Sequence, residues 1–143
     1  MAEPLRNIVP GPTPEGRVPP QAVEIEAQVL GAMLLDREAI PRVIEVLDED
    51  AFHADYHRKI FQAIVAMFDR SEPVDIITLA EELRRRGHLE TIGGEAYLAE
   101  LTMKVASPAN AEFHGKIVLE KYLLRELIRA ASELQARGYN PSE

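Results

Sequence analysis

The sequence predicts an all-α protein: a compact helical head of about five helices followed by one long C-terminal helix. Two observations carry this. Apolar residues recur at three- and four-residue spacing in six successive stretches, and capping residues, glycines and prolines fall between those stretches. At 143 residues the chain has the size of one ordinary domain and can bury a core without staples.

Each element has its own signal. Residues 1–19 form an extended, flexible arm by this reading: residues 1–20 hold six of the ten prolines and no apolar period. The first helix spans roughly residues 21–35, with Val23, Ala27, Leu30 and Leu34 on one side and Glu24 and Glu26 in the first turn, where the dipole favours negative charge. Asp36 caps a second, short or bent helix with Ile40, Val43, Ile44 and Leu47 on one face; Pro41 falls late for a first-turn proline. Asp55 caps the third, whose wide side of Ile60, Phe61, Ile64, Val65, Met67 and Phe68 marks it as the central core helix. Asp75 caps the fourth, which buries Ile76, Ala80 and Leu83 and stops at Gly87. The fifth follows Gly93 and Gly94 and buries Tyr97, Leu98, Leu101 and Val105. The head thus covers residues 20–106.

The long helix covers residues 107–138, before Gly138 and Pro141 stop it. At roughly thirty residues it extends about 45 Å, more than a head of this size needs. Phe113, Ile117, Leu123, Leu124, Leu127, Ile128, Ala131 and Leu134 share one face about 140° wide. Val118, Leu119 and Tyr122 fall outside it and form a second patch. An apolar face that continues past its own globule must be covered by a further helix or a second chain. The candidate partner face is therefore Leu124, Leu127, Ile128, Ala131 and Leu134, with Val118, Leu119 and Tyr122 as a secondary patch.

Composition excludes several function classes. There are no cysteines, which removes disulfides and thiolate metal sites and suits a reducing cytoplasm. No apolar run approaches a membrane span, and no signal peptide is apparent. The net charge of −8 lies wholly in residues 21–106, which hold nine basic and seventeen acidic residues. Such a segment repels a nucleic-acid backbone.

The motifs that suggest chemistry do not complete it. Gly93 and Gly94 open a helix as a phosphate loop would, but Glu95 then places a carboxylate at the anion position. Gly115-Lys116-Ile117 lacks the hydroxyl and the first glycine of a P-loop. The two imidazoles of His53 and His57 lie four apart, but with Asp55 as the cap they do not share a helical face and no third ligand follows at metal spacing, so both histidines are expected at the surface or at a cap. Arg84, Arg85 and Arg86 suit the negative end of a helix as well as they would suit a phosphate. No catalytic residue, cofactor site or metal site is nominated. A free-standing enzyme would need a polar pocket, and an unrelated helical interaction adaptor is the alternative reading.

Four blocks in order, PPQAVEIEAQVLGAMLLDREAI, FHADYHRKIFQAI, VDIITLAEELRRRGHLETIGGEAYLAEL and ANAEFHGKIVLEKYLLREL, resemble the N-terminal domain of bacterial replicative DNA helicases of the DnaB type, over about residues 19–141. The resemblance implies a helical head and a helical hairpin, joined by a linker to a RecA-like motor that uses ATP and Mg. It makes the long helix the first arm of that hairpin and residues 139–143 the start of a turn or linker. The partners it implies are other copies of the chain, paired within a homohexameric ring, a DnaG-type primase and a helicase loader. Neither a cofactor, direct nucleic-acid binding nor a membrane is expected for this stretch itself, and Gly93 and Gly94 become structural glycines.

Overall fold

The computed structural model describes residues 17–140. Among them lie α1 (Val23–Leu35), α2 (Ala39–Val46), a 3-10 turn (Glu49–Ala51), α3 (Asp55–Asp69), α4 (Ile76–Arg85), α5 (Gly94–Met103), a second 3-10 turn (Pro108–Asn110) and α6 (Ala111–Tyr139). Residues 1–16 of the expected arm and 141–143 of the expected turn lie outside the described residues.

The centre of the head is α1 rather than the expected α3. It packs on α2, α3, α5 and α6, and from Glu26 to Leu34 all but Gln28 are buried. The four-residue stripe read from sequence is therefore too narrow. Small residues explain the difference: a Cβ on Gly31 would stand 2.2 Å from the Leu101 carbonyl oxygen, so α1 and α5 approach at a distance only glycine permits. Ala27 and Ala32 are buried as well, and alanine registers weakly in a hydrophobic period.

Local signals set most boundaries. α2 begins at Ala39, so Pro41 falls in its first turn, where a missing N–H costs no helical bond. Asp36 sits one turn earlier and accepts the Glu38 amide at 3.0 Å rather than capping the helix from its N-cap position. Asp55 does not cap α3 either; it is the first helical residue, paired with Lys59 at 3.1 Å and Arg58 at 3.5 Å. Asp75 caps α4 as expected, in a reciprocal box with Thr78. Of the expected α3 core, Ile60, Phe61, Ile64 and Met67 are buried, with Phe61 against Phe52 at 4.9 Å between ring centroids, while Val65 and Phe68 are half-buried at its edge.

Candidate functional site

The entry to α5 resolves the phosphate question by hydrogen bonding. The Gly93 and Gly94 amides donate to the Glu90 and Leu89 carbonyls at 3.1 and 2.9 Å, so neither is directed at an anion. Gly93 has φ +109°, and a Cβ there would meet Tyr97 Cβ at 2.8 Å. Glu95 in the next turn pairs with Arg84 at 3.4 Å. This turn positions Tyr97.

Tyr97 belongs to a buried polar relay that the sequence reading missed. Glu26 on α1 accepts His57 Nδ1–H at 2.9 Å and the backbone amides of His53 and Ala54 at 2.7 and 3.3 Å. His57 Nε2 meets the Tyr97 hydroxyl at 2.6 Å. His57 is fully buried, not a surface or capping histidine, while His53 is half-buried. Burial alone would raise the Glu26 pKa, but the His57 hydrogen bond and the two amides outweigh it and hold the carboxyl below its ordinary value. The tautomer that satisfies both contacts has the proton on Nδ1, facing Glu26, and leaves Nε2 to accept from the Tyr97 hydroxyl. Burial pushes the Tyr97 hydroxyl up, so it keeps its proton. The relay locks α1, α3 and α5 together and is closed to solvent at its centre. One signal was available in the sequence: a carboxylate set among the apolar residues of VEIEAQVL demands a partner once that helix is buried on all sides.

The arginine run is likewise paired within the chain. Glu82, itself buried, accepts Arg86 Nε at 2.7 Å, Arg85 Nη2 at 2.5 Å and Arg70 Nη2 at 2.8 Å. Arg84 pairs with Glu81 and Glu95. The three consecutive arginines are thus spent on carboxylates. Among the described residues no group of three or more His, Cys, Asp or Glu side chains could hold a metal, and no helix is long and apolar enough to cross a membrane.

Single apolar side chains such as Ile77 and Met103 are exposed on the head, but the continuous apolar surface open to solvent is the stripe of α6. The helix meets the head through Ala111, Gly115 and Val118, with Leu119 and Tyr122 packed on the same core. Val118, Leu119 and Tyr122, expected as a secondary patch, therefore face the protein's own interior, with Val118 only 1% exposed. At 100° per residue Ala111, Gly115, Val118 and Tyr122 lie opposite the stripe. The stripe consequently points away from the head from its first turn, beginning at Phe113.

Arg125 is the last tether. Its guanidinium donates to the Pro20 and Ala51 carbonyls at 2.8 and 2.9 Å, and every residue from Leu127 to Asn140 is exposed. Of the candidate face, Leu124 is exposed beside the tether, and Leu127, Ile128, Ala131 and Leu134 project beyond it, Leu127 at 65% and Leu134 at 68% exposure. Arg129 bridges Glu126 at 3.1 Å and Glu133 at 2.6 Å along the flank of the projecting segment. This arrangement offers no acid, base or nucleophile; it offers non-covalent association along about 30 Å of helix.

The description "DnaB-like helicase N terminal domain" matches residues 18–120. The replicative DNA helicase DnaB of Rhodothermus marinus is 53% identical over 127 residues, covering 89% of this chain and 13% of that protein. The replicative DNA helicase DnaB of Geobacillus stearothermophilus is 45% identical over 123 residues, covering 86% of this chain and 27% of that protein. The chain thus spans about a quarter or less of the length of these relatives. The crystal structure of the N-terminal domain of DnaB helicase from Mycobacterium tuberculosis superposes with a TM-score of 0.84 at 43% identity, covering 85% of this chain and 88% of that one.

Proposed function

The chain belongs to the family of DnaB-like helicase N-terminal domains, and from that premise we propose that it is a non-catalytic assembly domain of a replicative DNA helicase. In this reading the α6 stripe packs on a second hairpin helix and on a neighbouring subunit, the paired hairpins build the collar of a hexameric ring, and the collar is where a DnaG-type primase docks. A helicase loader is a further partner. DNA unwinding, with ATP and Mg, belongs to a motor elsewhere in the parent protein, which works in the cytoplasm.

The observation that carries the reading is the uncovered stripe from Phe113 to Leu134, held clear of the head by a helix whose other side is already packed. Burying one leucine contributes roughly 1.5 to 3 kcal/mol, so four or five such residues can hold a subunit pair together. The acidic head supports a protein partner over a nucleic-acid one.

Sedimentation equilibrium of this chain beside one extended through the second hairpin helix tests the proposal. The extended chain should form a defined pair, and the shorter one should associate more weakly and with rising concentration. Equal, strictly monomeric behaviour of both, or magnesium-dependent ATP turnover by the shorter chain, would overturn it.

A further inference from the structure

A groove of about 560 Å³ lies between α2, α3 and the first 3-10 turn, apart from the α6 stripe. Its floor is apolar, with Phe61 buried at the base and Ile44 and Val65 half-buried on the walls. Its rim is acidic. Asp48 and Glu49 stand on one side and Asp69 on the other, and none of the three has a cationic partner among the described residues. Arg86 closes one end, but its guanidinium is committed to Glu82 at 2.7 Å.

The backbone deepens the same charge. α2 and α3 both end at this groove, at Val46 and Asp69, and neither carries a basic residue in its last turn. The α2 end, capped by Leu47, leaves its negative dipole uncompensated beside Asp48 and Glu49, whereas the α3 end carries Arg70 at its C-cap, engaged by Glu72 and Glu82. α4, by contrast, ends in Arg84 and Arg85. Glu49 accepts from Gln62 and Asp48 from the Asp50 amide, but neither bond neutralises a carboxylate, and an apolar trough flanked by uncompensated negative charge is complementary to a helix with an apolar face and basic flanks.

We propose that this groove docks a basic amphipathic helix of a partner protein. Its apolar side chains rest on Ile44, Phe61 and Val65, and its lysines or arginines reach Asp48, Glu49 and Asp69. The site is separate from the collar surface and does not depend on it.

The test uses the 143-residue chain and a fluorescent helical peptide with leucine and phenylalanine on one face and lysine and arginine on its flanks. Fluorescence anisotropy should show binding that weakens with salt, and amide shifts should cluster at Ile44, Val65 and Asp69. Asp48→Lys combined with Asp69→Lys, both at exposed positions, should weaken binding roughly tenfold or more, as attraction becomes repulsion. Leu127→Asp should leave it unchanged, which separates this site from the collar face; circular dichroism checks that each variant is folded. Any of four results would overturn the proposal: no binding, shifts confined to α6, indifference to the double reversal, or equal binding of a peptide with glutamate in place of its basic residues.

Discussion

Glu26 and His57 face each other at 2.9 Å with both side chains closed off from solvent, joining the central helix to α3. This pair does locally what the apolar core does globally: it fixes one packing of α1 against its neighbours. A buried donor stripped of its acceptor costs more than the intact hydrogen bond is worth. Glu26→Ala, which strips the acceptor from His57 and from the amides of His53 and Ala54, should destabilise the chain by about 2 to 4 kcal/mol in denaturant melts, at roughly 1 to 3 kcal/mol for each donor left buried and unsatisfied. A loss below about 1 kcal/mol would show that the relay is incidental.

The two buried carboxylates should make stability fall in acid. Glu82 is held down at about 2, first by the Arg86 hydrogen bond, then, against the opposing effect of burial, by Arg85 and Arg70. A carboxyl with a depressed folded pKa adds stability above its unfolded value and loses it as pH falls through the folded value. The loss should therefore run from the ordinary 4.5 down to about 2. Urea melts across that window should show stability falling with pH in the wild type and a flatter slope in Glu82→Gln. The slope that remains should come in part from Glu26, whose pKa is lowered in the same direction. An unchanged slope would remove Glu82 from the account.

Gly31 and Gly138 make a matched comparison within helices. A methyl at Gly31 collides with the Leu101 backbone, whereas one at Gly138 meets nothing within 4 Å. Gly31→Ala should cost about 1 to 3 kcal/mol through forced separation of α1 and α5. Gly138→Ala should be neutral or stabilise by roughly 0.5 to 1 kcal/mol through helix propensity. Thermal melts of the two variants should move in opposite directions, or only the first should move.

Leu127→Asp should leave the head folded, because Leu127 touches none of the core, and should weaken collar formation and primase stimulation in the parent protein. In the wild-type chain, hydrogen exchange over residues 124–137 should be fast when dilute and slow as concentration rises, because that segment gains cover only by association. Strong protection in a demonstrably monomeric sample would mean that the stripe is covered within the chain, against the hairpin reading.

Periodicity and capping alone determined the fold class, the succession of five head helices and a long sixth, and the apolar stripe from Phe113 to Leu134. These are properties of near neighbours along the chain, so helical spacing reveals them directly. The Asp75 cap and the turn at Gly93 were legible for the same reason. Tertiary structure decided what depends on residues distant in sequence. Asp55 has no capping role because α3 starts from Ala54, whose carbonyl accepts the His57 and Arg58 amides, while Glu26, 28 residues before Ala54, holds the His53 and Ala54 amides in front of it. His57 became a core residue because Glu26 and Tyr97 converge on it from two other helices. Val118, Leu119 and Tyr122 turned inward because they share the side of α6 on which Ala111 and Gly115 are buried against the head. Small residues mark a packing face by the space they leave rather than by hydrophobicity, and long-range polar pairs leave no periodic trace. Both become visible only when the helices are assembled.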